Sequence, residues 1–221
     1  MTTILNSPTR ISFILLLIVI GEIIPNFSNG NGTAEAEVFL SGILEETLKI
    51  LKSEGFSGED KRTLLADNIN ANLDLVTMSE RALGPSRQNF TKKQFAEFSQ
   101  EFTRHLTHFY LRRLETFKGD KIKITDSSFN KKSRVVKIRT LGGVRHNIFQ
   151  SRRSSHIAKV DYHLREKNAE WRIISITIDG VNVSRSFRKQ FKAMLDKETP
   201  DVLISKMRSM NIENEARNLF Y

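Results

Sequence analysis

Three side chains at helical spacing, Glu101, His105 and His108, are of the types that ligate a divalent metal, and their spacing puts them on one face of a helix. No further ligand accompanies them, and they face away from a stripe of phenylalanines on the same helix. The pattern therefore reads as a solvated helix face, not a metal centre. Asp161 and His163 share one face of a strand and could exchange protons as an acid–base pair, but simple alternation on an exposed face explains them as well. The chain has no cysteine, which excludes disulfides, thiolate metal sites, cysteine nucleophiles and an N-terminal lipidated cysteine. It also lacks a Walker loop, G-x-S-x-G, H-E-x-x-H and a dinucleotide fingerprint. No catalytic residue, metal or other cofactor is expected.

The elements that would position these groups are legible from periodicity. From Lys159 to Arg165 the residues alternate, with Val160, Tyr162 and Leu164 on one face, as in a half-buried strand. Trp171 to Ile178 is a second strand, with Ile174, Ile176 and Ile178 on one face and Trp171 and Ile173 on the other, so both faces are covered. Asp179-Gly180 breaks the run, and Ser184 or Ser186 can cap a helix bearing Phe187, Phe191, Met194 and Leu195. Upstream, helices are predicted from Val38 to Ser53, after Ser57, and from Leu73 to Leu83. A capping box at Thr91 to Gln94 opens a long helix running to Phe117. Phe95, Phe98, Phe102, Leu106, Phe109, Leu114 and Phe117 form its apolar stripe, with Tyr110 beside it. Lys121 to Thr125 and Arg134 to Thr140 are two further strands. The outcome is an α+β domain in which helices pack on a roughly four-stranded antiparallel sheet, with a C-terminal helix to follow.

The chain's start is of another kind. Arg10 followed by the apolar run Ile11 to Ile20 has the n- and h-regions of a secretory signal peptide, and ten residues fall well short of the roughly 20 that span a bilayer. Ala34-Glu35-Ala36 offers a cleavage site, leaving 37–221 as one mature domain; a cut near Ser28 to Gly30 is the alternative. Removing residues 1–36 takes away one arginine and two glutamates and raises the net charge from +10 to +11. Such a balance favours anionic partners. The basic pairs Lys92-Lys93, Arg112-Arg113, Lys131-Lys132 and Arg152-Arg153 are scattered and not interleaved with exposed aromatics, which disfavours nucleic acid.

Between Val38 and Met210 a pattern is carried by Trp171-Arg172-Ile173, Asp179-Gly180-Val181, Phe187-Arg188 and Gln190-Phe191, together with Ala82-Leu83-Gly84, Tyr110, Arg113, Leu203 and Ile204. In that order and spacing it resembles the MlaC (toluene-tolerance Ttg2-type) family of periplasmic lipid-binding proteins. Two positions depart from the pattern: Pro85-Ser86 stands where an aromatic pair usually follows Leu-Gly, and Asn182 replaces the usual serine. The resemblance implies a cone-shaped, nuclear-transport-factor-like core enclosing an apolar cavity. It further implies a monomeric periplasmic carrier of phospholipid, without enzymatic activity, moving between the outer membrane and an inner-membrane ABC transporter. An outer-membrane lipoprotein complex and the transporter complex would be its partners. The alternatives are a carrier of another lipid such as a hopanoid, a small periplasmic enzyme using Asp161 or His163, and a solid-cored adaptor.

Physical arithmetic makes a carrier reasonable. A phospholipid with about 30 buried methylenes would lose roughly 25 kcal/mol on exposure to water, so crossing an aqueous compartment requires a protein that encloses the acyl chains. The chain holds 15 phenylalanines against one tryptophan and three tyrosines, enough to wall a cleft between the long helix and the sheet. The expected cleft lies around Asp179-Gly180, where a strand leaves the sheet for a helix. Ile178, Val181, Val183 and Phe187 would form one side, and Phe102, Phe109, Tyr110, Val160, Tyr162 and Leu164 the other. Secretion carries its own test: intact-mass measurement of exported protein should show the loss of about 28 to 36 residues, whereas full-length protein in the membrane fraction would exclude a soluble carrier.

Overall fold

A computed structural model describes residues 31–115, 117–144 and 156–218. Residues 1–30, most of the segment 1–36 expected to be a signal peptide, lie outside them. Six helices and five strands follow in the order α1 (Asn31–Lys52), α2 (Gly58–Asn72), α3 (Leu75–Leu83), α4 (Lys92–Glu115), β1 (Phe117–Asn130), β2 (Val135–Val144), β3 (His156–Lys167), β4 (Glu170–Ile178), β5 (Val181–Asn182), α5 (Val183–Leu195) and α6 (Pro200–Asn218). The strands form one antiparallel sheet in sequence order. The α+β architecture is as the sequence predicts, with the addition of a two-residue strand and of two C-terminal helices instead of one. Among the described residues no helix is long and apolar enough to cross a membrane.

Helix starts follow local chemistry. Ser57 and Asp60 cap α2 reciprocally, and Thr91 Oγ1 accepts from Gln94 N (3.1 Å) while Gln94 Oε1 accepts from Thr91 N (3.0 Å). The cap of α5 is Asn182, not Ser184 or Ser186. Its Oδ1 accepts from Arg185 N at 2.9 Å, and its Nδ2 donates to Ser175 Oγ at 2.9 Å, tying the helix start to β4. An amide caps as a serine would and supplies a donor besides, which accounts for the departure at this position. The turn before it is a two-residue hairpin with Asp179 at φ 49° and Gly180 at φ 81°. Both central residues are left-handed, the geometry that Asp-Gly favours because it matches strand twist. Asp179 also clamps the neighbouring strand: its N donates to Lys159 O (2.8 Å) and its Oδ1 accepts from Lys159 N (2.9 Å).

One strand departs from strict alternation. His163 pairs with Ser175 but Leu164 pairs with Ile173, so Ile174 is an extra residue, a β-bulge. The bulge reverses the faces assigned from periodicity: Ile173 joins Ile176 and Ile178 in the main core, while Ile174 is buried outside that cluster. The Ile174 carbonyl accepts from Arg81 Nη1 of α3 (3.2 Å).

Helix α3 is pinned at both ends. At its start, Asp74 N donates to Ile173 O (2.9 Å), and the Asp74 carboxylate accepts from Thr77 N (2.9 Å) and Lys167 Nζ (3.2 Å). At its end, Arg188 of α5 donates through Nε and Nη2 to Arg81 O (2.8 and 2.6 Å). Gly84 closes the helix at φ 55°, and a Cβ there would lie 2.6 Å from Arg188 Nε. Leu83-Gly84 and Arg188 are thus one packed unit joining distant parts of the chain. Gly84→Ala should cost roughly 1–3 kcal/mol from the left-handed φ alone. In thermal unfolding, Arg188→Ala should then cost less in the Gly84→Ala background than in the wild type; strictly additive losses would show that the two residues do not act together.

Candidate functional site: an apolar cavity under the sheet

The core has a solid half and a hollow half. In the solid half, Phe98 and Phe102 of α4 pack with Phe187 and Phe191 of α5. Their ring centroids lie 5.2 to 5.7 Å apart in stacked and edge-on pairs. In the hollow half a cavity of about 180 Å³ remains. Helix α1 contributes Ile43, Leu44 and Thr47 to its wall, α2 Asn68 and Ile69, and the C-terminal part of α4 Tyr110, Arg113 and Leu114. The sheet closes the other side with Phe117 and Ile122 of β1, Thr140 and Gly142 of β2, Ala158, Val160 and Tyr162 of β3, and Ile173, Ile176 and Ile178 of β4. At Gly142 a Cβ would stand 3.2 Å from Ile122, so the missing side chain lets β1 lean over the sheet.

Of the ten residues expected around a cleft, Tyr110, Val160, Tyr162 and Ile178 line this cavity. The other six do not. Phe102 and Phe187 belong to the aromatic stack, and Phe109 packs edge-on against Phe187 and Tyr110. Leu164 and Val183 are buried in the same core, and Val181 is half-buried in β5 beside the hairpin turn. Ile178 and Val160, which pair just before the Asp179-Gly180 turn, bound one end of the cavity, and α5 folds back from that turn to pack its rings on α4. The hollow lies further along the sheet, under α1 and α2. Those helices carry wall residues that periodicity alone could not tell from core: Ile43, Leu44, Ile69 and Leu73 have the spacing of any buried helical face.

Polar groups in the lining are few. Burial pushes the Tyr162 phenol up to about 12 and raises Tyr110 as well, helped by the neighbouring Tyr162. The Arg113 guanidinium sits 3.2 Å from the Phe109 ring centroid, and burial brings it down to about 10.

The two constellations with chemical potential have structural partners. Glu101, His105 and His108 are not solvated, because α6 covers that face of α4. Glu101 is buried and accepts from Arg104 Nη1 (2.9 Å), Arg208 Nε (3.0 Å) and Asn211 Nδ2 (3.0 Å). Burial alone would raise its carboxyl, but these donors hold it below the usual range. His105 packs edge-on against Phe187, and His108 faces Glu215 at 3.5 Å. Among the described residues no cluster of three ligating side chains could hold a metal. Asp161 accepts from Arg139 Nε at 2.7 Å and lies 3.1 Å from Lys137 Nζ, pairs that outweigh burial and keep its carboxyl below the usual range. His163 is pushed down by burial and then by Lys137, so it is held neutral. Neither lines the cavity.

A family described as MlaC protein matches residues 42–209. No curated protein matches the chain in sequence. Among solved structures, a phospholipid-binding protein from Ralstonia solanacearum, determined in complex with a phospholipid, has a TM-score of 0.67 at 16% identity; the match covers 81% of this chain and 98% of that one. At such identity the likeness is one of fold.

Hollow and solid halves should respond differently to a buried charge. Val160→Glu can turn its carboxylate into the cavity and should leave a cooperatively folded protein, whereas Val183→Glu has no such space and should cost several kcal/mol. Thermal unfolding of both variants checks this; equal losses would mean that the wall at Val160 is ordinary packed core.

Proposed function

The chain belongs to the MlaC family, and from that premise we propose that it is a non-enzymatic carrier that encloses phospholipid acyl chains in the cavity under the sheet. The observation that carries the reading is the cavity itself, walled almost wholly by aliphatic and aromatic side chains and bounded by two separate layers. Support comes from the solved protein of the same fold that holds a phospholipid. A cavity of about 180 Å³ lies below the range of about 300–1,000 Å³ typical of ligand sites, so the helical layer over Ile43 and Ile69 must move away from the sheet when chains enter. Entering chains would exchange apolar contact between the layers for apolar contact with the lipid, while the backbone bond from Asp74 N to Ile173 O holds the edge of the seam.

In the proposed cycle the protein works in the periplasm as a monomer. It passes lipid between the outer membrane and an inner-membrane ABC transporter, and docks in turn on an outer-membrane lipoprotein complex and on the transporter. Export would precede this, and the packing of α1 favours the earlier of the two cleavage positions: Ala36 is fully buried in the core, so a cut near Ser28 to Gly30 keeps it in the mature domain.

Native mass spectrometry of the purified protein tests the cargo. A bound mass corresponding to a lipid with two acyl chains is expected. A polycyclic lipid would transfer the reading to a hopanoid carrier, and a protein with no lipid after gentle isolation would exclude both.

A further inference from the structure

An apolar store for hydrocarbon has no use for a buried phenol without a partner, yet Tyr110 supplies one. The residue is 8% exposed, lines the cavity, and its hydroxyl makes no hydrogen bond to any described residue. Buried tyrosine hydroxyls usually have a partner, so this one has kept a donor in reserve. Tyr162, across the cavity on β3, brings a second phenol near it, and Arg113, one turn further along α4, brings a cation. That cation is held in place, because Arg113 Nη1 donates to Phe109 O at 2.8 Å and the guanidinium stacks on the Phe109 ring. Among the described residues that line the cavity none is a carboxylate. Two phenols and a cation thus lie near one another in a cavity whose walls are otherwise mostly hydrocarbon. The complementary ligand is a hydrocarbon chain that ends in an acceptor oxygen.

We propose that the Tyr110 hydroxyl donates a hydrogen bond to the carbonyl at the head of a bound acyl chain, with Arg113 lending positive charge beside it. The carbonyl is the ester of a diacyl lipid or the carboxylate of a free fatty acid. The inference rests on the carrier reading and deepens it, because it makes the cavity selective for acyl chains over alkyl ethers and polycyclic hydrocarbons. Burial keeps the phenol protonated across the physiological range, so the donor is always present.

The substitution Tyr110→Phe removes one oxygen and keeps the ring. Because that oxygen has no partner among the described residues, thermal stability should hold or rise. Delipidated wild type and variant are titrated with dipalmitoyl phosphatidylethanolamine, with its dihexadecyl ether analogue, and with palmitate. The wild type should bind the diester about three- to tenfold more tightly than the diether, the equivalent of one neutral hydrogen bond, and the variant should bind the two equally. A larger loss for palmitate than for the diester would identify the carboxylate as the preferred source, since a charged acceptor strengthens the bond. Equal wild-type affinities, or a preference that survives in the variant, would overturn the carbonyl contact and leave the hydroxyl to a bound water only. A wild-type protein that takes up neither phospholipid nor palmitate overturns the carrier reading and this contact together.

Discussion

The aromatic stack of Phe98, Phe102, Phe187 and Phe191 is the interaction on which the rest of this structure depends. It joins the middle of α4 to α5, which leaves the sheet through a two-residue turn, so it sets how far α4 stands from the strands. Aromatic pairs contribute about 0.5–1.5 kcal/mol each beyond their burial, and several share the same four rings. With α4 fixed at that end by large rings, its C-terminal part is held above β1, β2 and β3, where Gly142, Ala158 and Val160 are too small to fill the space. The cavity is a consequence of that mismatch in side-chain size along one helix.

The ionic networks lie outside the cavity and serve its walls. Glu101, Arg104, Arg208, Asn211 and Glu215 tie α6 to the outer face of α4, and Arg188, Gly84 and Asp74 tie α3 to α5 and β4. These bonds hold the solid half rigid. Among the described residues, Asp74 N donates to Ile173 O (2.9 Å) where the helical layer meets β4 at the edge of the cavity, and Asn68 Nδ2 donates to Thr47 Oγ1 (3.0 Å) within the helical layer. A container for flexible chains is served by this division, with one rigid half to keep the fold and one apolar seam that can part. The same division explains why Asp161 and His163 are poor candidates for proton transfer: the one is locked by two cations and the other is kept neutral by burial.

Much was legible in the amino-acid order because it depends on neighbours in the chain. The Thr91–Gln94 capping box, the break at Asp179-Gly180, the alternation from Val160 to Leu164 and the α+β class all rest on local geometry, and all appear where the sequence puts them. Three features were not legible, each for a reason beyond local order. The bulge at Ile174 turns on how β4 registers against β3, and an alternating run does not announce a skipped partner. The covered face of Glu101, His105 and His108 turns on α6, whose contacts with α4 are more than 100 residues distant in sequence. The cavity's position turns on which apolar residues meet a partner and which face a void; Phe102 and Tyr110 differ in that respect although both stand on α4. The sequence by itself therefore determined most of the elements, their order, and the family pattern of Trp171, Gly180 and Arg188. Only the tertiary structure decided where the solid core ends and the hollow begins, because packing density is a property of side chains brought together from distant parts of the chain, and no single stretch of sequence contains it.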